Sequence, residues 1–314
     1  MASILSTGIV IVASKTPRRF YLAILLMGVP IVVVCLFWIR PAFTQARYSH
    51  PALEQMDKLG CASLEGGQKL CGADYSVDGK NVEAISFMPQ GTGVFPGVLM
   101  IPGYDRTARD LVPLGIRLAR AGIAGLAVSQ PGFGRSDGPA DYVGPKTLNV
   151  LTVGYRKLQN DPHLDAKRVA IYGYSRGGMA ASLLATQIDD VKAAVFGAGV
   201  YDFQREYDEV KLLGIRFNMI AETGMTKDAV RERSSILRMD KLKCPVLILH
   251  GELDKNVPVS QAKLLRDRLT ELHKEFEIKI LPDKEHSVGP EGADMAVEFL
   301  RRKLLSSTDG PAGR

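Results

Sequence analysis

From Val82 onward, short apolar runs alternate with stretches whose apolar residues recur at helical spacing. That alternation predicts βαβ units around a mainly parallel sheet. The expected strands are Val82–Met88, Val94–Ile101, Ile123–Ser129, Arg168–Tyr174, Val191–Gly197, Pro245–His250 and Phe276–Leu281. The expected helices are Ala108–Ala121, Thr147–Gln159, Gly177–Gln187, Ser260–Glu271 and Pro290–Leu305. Between Tyr201 and Leu242 the rhythm breaks. This stretch is charged, helical in pattern and longer than an ordinary connection, so it predicts a small helical cap inserted over the sheet. The residues from Ser306 to Arg314 are expected to fray.

The N-terminal part has a different pattern. From Phe20 to Ile39 the sequence FYLAILLMGVPIVVVCLFWI carries no charge and has about the 20-residue length that crosses a hydrocarbon core as a helix. It is apolar on every face, which suits lipid better than a soluble core, and Trp38 and Arg40 stand at its end as interfacial anchors would. A cleaved signal peptide competes with this reading. Its apolar region normally runs about 7–15 residues, however, and the best small-residue site, Thr44-Gln45-Ala46, is weak. A retained signal-anchor is therefore expected. Lys15, Arg18 and Arg19 precede the span and Arg40 and Arg47 follow it, a small bias that leaves the N-terminus cytoplasmic and the body on the periplasmic or extracellular side. The expected organisation is a short tail over 1–19, a transmembrane helix over 20–39, a polar tether over 40–60, a globular body over 61–305 with a cap at about 201–242, and a tail over 306–314.

Composition narrows the chemistry. The net charge of +6 comes from 40 basic against 34 acidic residues spread along 314 positions, with no basic stripe interleaved with aromatics. Nucleic acid is not an expected partner. The four cysteines form no CxxC pair and no Cys/His cluster, so neither a metal nor a cofactor is expected. Cys35 and Cys244 sit in apolar settings, as small buried hydrophobes do. Cys61 and Cys71 flank a polar, glycine-containing segment and could close a small loop in an oxidising compartment.

The pattern G-x-S-x-G occurs twice. It serves catalysis when the serine caps a sharp strand-to-helix turn whose flanking glycines remove side chains that would collide. Gly173-Tyr174-Ser175-Arg176-Gly177 follows the strand RVAIYG and runs into the helix former GMAASLLA, the setting that the motif requires. Gly134-Arg135-Ser136-Asp137-Gly138 lies in a turn-rich loop, with Gly138-Pro139 where a helix should open. Ser175 is therefore the candidate nucleophile and Ser136 a decoy.

A serine hydroxyl needs an imidazole to take its proton and a carboxylate to fix the tautomer of that imidazole. His286 is the candidate base, in the short loop between the last strand and the last helix; His250, at a strand end, and His273, at a helix end, are set aside. The loop after the penultimate strand offers Asp254, the preferred acid, with Glu252 as the alternative. An oxyanion needs two backbone N–H donors. Arg176, after the nucleophile, and Tyr104, in the Pro102-Gly103-Tyr104 loop after a strand, are the candidates.

From about Val82 to Leu305 the chain resembles the α/β-hydrolase superfamily, nearest its dienelactone-hydrolase and prolyl-oligopeptidase-like branch. The resemblance rests on Gly173–Gly178 (GYSRGG), Gln130–Gly138 (QPGFGRSDG), Leu242–Pro258 (LKCPVLILHGELDKNVP) and Pro282–His286. It implies a twisted, mainly parallel sheet with helices on both faces and a Ser175–His286–Asp254 triad. The usual His-Gly of the oxyanion loop is Pro102-Gly103 here, which preserves a backbone donor. The expected activity is that of a membrane-anchored serine hydrolase acting on small acyl esters. A peptidase or thioesterase on the same triad is the first alternative, and a non-catalytic binding protein on a hydrolase scaffold the second.

Overall fold

The computed structural model describes residues 50–305. The expected tail over 1–19, the membrane span over 20–39 and the C-terminal tail over 306–314 lie outside these residues. Among the described residues no helix is long and apolar enough to cross a membrane.

The chain enters through helix α1 (Pro51–Leu59) and the short strands β1 (Cys61–Ser63) and β2 (Lys69–Gly72). This corrects the tether, which was expected to run to residue 60. Ala52, Leu53 and Met56 recur at helical spacing on one face of α1 and bury it against the body, so the chain is packed from Pro51 onward. The expected strand Val82–Met88 is two strands. A hairpin pairs β3 (Tyr75–Val77) with β4 (Lys80–Val82) across Asp78-Gly79, and β5 (Ala84–Met88) belongs to the main sheet.

The remaining strands are β6 (Phe95–Ile101), β7 (Ala124–Val128), β8 (Leu164–Tyr174), β9 (Ala194–Gly197), β10 (Val246–Gly251) and β11 (Phe276–Leu281). The sheet order is β1-β2-β5-β7-β6-β8-β9-β10-β11; all pairings from β7 to β11 are parallel and the first three are antiparallel. Strands β6 and β7 are buried on both faces, which explains their unbroken apolar sequences. Cys61 and Cys71 face each other across β1 and β2 and are disulfide-bonded.

Helices α2 (Val112–Arg120), preceded by a 3₁₀ turn at Ala108–Leu111, and α9 (Gly289–Leu305) cover one face together with α1. Helices α3 (Pro145–Gln159), α4 (Arg176–Ala185) and α8 (Ser260–Glu271) cover the other. The stretch expected to form the cap consists of α5 (Phe203–Glu209), α6 (Leu213–Thr223), α7 (Lys227–Arg233) and a 3₁₀ segment, Ser235–Lys241. The fold is that of an α/β-hydrolase, and the loops at the C-terminal ends of its parallel strands are where such sheets hold ligands.

Candidate active site

Ser175 stands between β8 and α4 with φ 57° and ψ −124°, a conformation that costs a non-glycine residue about 1–3 kcal/mol. The surroundings over-determine it. A Cβ on Gly173 would lie 1.9 Å from the Gly177 carbonyl oxygen, and one on Gly177 would lie 2.1 Å from the Ile101 oxygen. Both glycines of the motif are thus required by backbone contacts, and the turn lifts Ser175 into a cavity of about 1000 Å³.

Residues far apart in the sequence meet there. His286 Nε2 lies 2.8 Å from Ser175 Oγ, and His286 Nδ1 lies 2.7 Å from Asp254 Oδ2. With Nδ1–H donated to Asp254, Nε2 is left to accept from the serine hydroxyl. Asp254 Oδ1 accepts from the N–H groups of Asn256 (2.8 Å) and Val257 (3.0 Å), closing a turn that aims the other oxygen at His286. Burial opposes ionisation of Asp254. Hydrogen bonds from His250, His286 and the Val257 N–H, together with the positive charge His286 can carry, outweigh it and hold the carboxyl well below the usual carboxylate range. Glu252, the alternative acid, is exposed to solvent.

The loops that carry Asp254 and His286 are locked together. Leu253 N–H donates to the Lys284 carbonyl at 2.9 Å, and a Cβ on Gly251 would lie 2.0 Å from the Glu285 oxygen. At the proposed oxyanion position, Arg176 is the first residue of α4, where a backbone N–H has no intrahelical partner. The Gly103-Tyr104 loop passes so near that a Cβ on Gly103 would lie 3.2 Å from Ser175 Cβ. Gln130 Nε2 donates to the Pro102 carbonyl at 2.7 Å and steadies that loop.

Several residues contribute that sequence reasoning passed over. Tyr174 Oη donates to the His286 carbonyl at 2.6 Å and accepts from Val288 N–H at 3.2 Å, so the residue before Ser175 also holds the loop of His286. His250, set aside earlier, is fully buried with Nε2 3.4 Å from Asp254 Oδ2 and 2.9 Å from the Val257 carbonyl. The side chain of Arg176 is buried too. Its guanidinium packs over the Tyr142 ring at 4.1 Å, lies near Tyr104 and Phe133, and is ion-paired with Glu222 of α6. The only advance signal for Tyr174 and Arg176 was their place inside the motif; Glu222 and His250 had none.

The decoy serves structure. Ser136 Oγ accepts from Glu83 N–H at 2.9 Å and donates to the Ser129 carbonyl at 2.8 Å, away from the cavity. A Cβ on Gly134 would lie 1.9 Å from Glu83 Oε2, so the second motif wraps a buried carboxylate.

Residues 144–304, just over half of the chain, match the prolyl oligopeptidase family. The chain belongs to that family. As a prolyl oligopeptidase relative it is a serine hydrolase. It is 29% identical over 209 residues to the uncharacterized peptidase YtmA of Bacillus subtilis (strain 168), an alignment covering 65% of this chain and 80% of YtmA. The same fold occurs in the acylaminoacyl peptidase of Pyrococcus horikoshii, with a TM-score of 0.67 and 19% identity over 83% of this chain and 45% of that one. It also occurs in acetyl xylan esterase 1 from Thermoanaerobacterium sp. JW/SL YS485, with a TM-score of 0.62 and 18% identity over 80% of this chain and 90% of the esterase. The chain therefore spans less than half of that peptidase and most of the esterase.

Proposed function

We propose that this family member hydrolyses carboxylic esters through a covalent acyl-enzyme. The observation that carries the reading is the unbroken line from Asp254 through His286 to Ser175 at the floor of a roofed cavity. Ser175 Oγ attacks the acyl carbon while His286 Nε2 takes its proton, and the oxyanion falls to the N–H groups of Tyr104 and Arg176. His286 then returns the proton to the leaving alkoxide. Water, deprotonated by the same nitrogen, attacks the acyl-enzyme, and His286 returns that proton to Ser175 Oγ as the acyl–oxygen bond breaks and the acid leaves. Asp254 keeps the imidazole in the one useful tautomer throughout. Two further points support an ester of modest size. The cavity volume suits a small ligand, and acetyl xylan esterase 1 shares the fold over nearly its whole length.

The test is hydrolysis of short p-nitrophenyl esters by the detergent-solubilised chain. The expected loss on Ser175→Ala is about 10³-fold or more, and equal rates for the two proteins would reject the mechanism. The family match favours a second reading, amide cleavage. It would prevail if aminoacyl p-nitroanilides were turned over with a higher kcat/KM than the matching esters.

The uncharged run from Phe20 to Ile39 supports a membrane anchor with the body outside the cytoplasm, where the Cys61–Cys71 pair would form and persist. Reporter fusions at the C-terminus test this. A signal confined to the cytoplasm would reject that topology.

A further inference from the structure

Glu206 on α5 has a fully buried side chain, and neither of its carboxylate oxygens has a hydrogen-bond partner among the described residues. It also lines the cavity that holds Ser175 and His286. Leaving a buried polar group unmatched costs about 1–3 kcal/mol, and more when the group is charged. The fold itself thus gains nothing from a carboxylate at this position. Two other acids of the cap are matched. Glu222 pairs with Arg176, and Glu209 accepts from Ser260 and Arg205. Apolar Met179, Val200 and Val257 line the same cavity and offer Glu206 no donor. Burial, reinforced by the charges of Asp254 and Glu209, pushes its carboxyl up to about 8.

We propose that Glu206 sets specificity in this cavity by receiving a primary ammonium group carried by the substrate. The inference rests on reading the cavity as the substrate site. An ammonium supplies three N–H donors and a full positive charge, and so matches both unmatched oxygens at once. The carboxylate is closed to solvent. An incoming ammonium reaches it after a small displacement of the cavity wall. The preferred substrates are then esters or amides of amine-bearing compounds, and neutral acyl compounds of equal size bind more weakly.

Calorimetry on the full-length chain carrying Ser175→Ala tests this without turnover. The probes are n-butylammonium chloride and its neutral counterpart 1-butanol at pH 9, where Glu206 is ionised and the amine still charged. The ammonium is expected to bind at least about tenfold tighter than the alcohol, a modest value for a desolvated charge pair. Adding Glu206→Gln should bring the ratio close to one and leave butanol affinity within about twofold, while Glu206→Asp, which keeps the charge on a shorter stem, should retain part of the ratio. Butylammonium binding no tighter than butanol, or a ratio that survives Glu206→Gln, would overturn the inference. Because Ser175 is absent, failure here leaves the ester mechanism standing. Conversely, ammonium binding by a chain that hydrolyses no ester would reject the mechanism alone.

Discussion

The guanidinium of Arg176, the residue after Ser175, is ion-paired with Glu222 on helix α6, so a buried charge pair joins the turn that carries Ser175 to the roof of the cavity. Glu222 also accepts from the Tyr142 N–H at 2.8 Å. Removing its carboxylate strands a buried guanidinium, and breaking such a pair costs about 3–5 kcal/mol. Urea unfolding of Glu222→Ala at pH 7.5 is expected to show a loss near the low end of that range, because three aromatic rings still surround Arg176. Glu222→Gln keeps an oxygen for both donors and should lose about half as much. An unchanged midpoint in both variants would mean the pair holds nothing together.

Gly177→Ala places a methyl 2.1 Å from the Ile101 oxygen and 2.7 Å from that of Pro102, both backbone atoms of β6 and its following loop. Neither can yield without moving the strand. The expected result is a loss of more than about 3 kcal/mol and no fluorophosphonate labelling of whatever folds. Gly214→Ala is the matched control. Its Cβ meets nothing within 4 Å and it lies inside α6, so the substitution should stabilise by up to about 1 kcal/mol.

Ser136→Ala separates the two copies of the serine motif. It leaves the buried Glu83 N–H without its acceptor, for an expected loss of about 1–3 kcal/mol in thermal or urea unfolding. Fluorophosphonate labelling should match the unaltered chain, whereas Ser175→Ala should abolish it. Labelling that depended on Ser136 would reverse the assignment.

Asp254 gives the protein an acid-sensitive limb of stability. Its carboxyl titrates below its ordinary value in the folded state, so the folded form binds fewer protons than the unfolded form at low pH. The stabilisation is complete above about pH 4, the ordinary aspartate value, and fades as pH falls below it. Denaturation midpoints measured from pH 6 to pH 3 should fall more steeply for the unaltered chain than for Asp254→Asn. Parallel curves would show that the hydrogen bonds from His250 and His286 do not hold the ionised form.

The apolar runs of β6, β7 and β10 were legible because both of their faces are covered, so nearly every position is apolar. Ser175, Asp254 and His286 became candidates because each follows a strand expected from the sequence, β8, β10 and β11. The antiparallel edge of the sheet and the separate hairpin were not legible. Strands β1, β2 and β4 are three or four residues long and mostly exposed, too short to show an alternating pattern. Glu83 interrupts one apolar run with a buried carboxylate, and this divides it between two sheets. Helix α1 was hidden by its shortness, since only three residues, Ala52, Leu53 and Met56, carry its packing. Glu206 was invisible for another reason. On a charged helix nothing in the sequence distinguishes the one acid that turns inward.

The bond between Cys61 and Cys71 also has a mechanical meaning. A pull applied to the chain ahead of His50 enters the body through α1 and reaches Cys61 first. There the load passes through the disulfide into β2, whose ladder with β5 spreads it across the sheet. The residues between the two cysteines are bypassed, so a three-residue strand that would otherwise peel away carries no tension. A body tugged by its N-terminal end is thereby gripped at the sheet, and the strain does not have to travel the connecting loop before the strands that seat Ser175 begin to bear it.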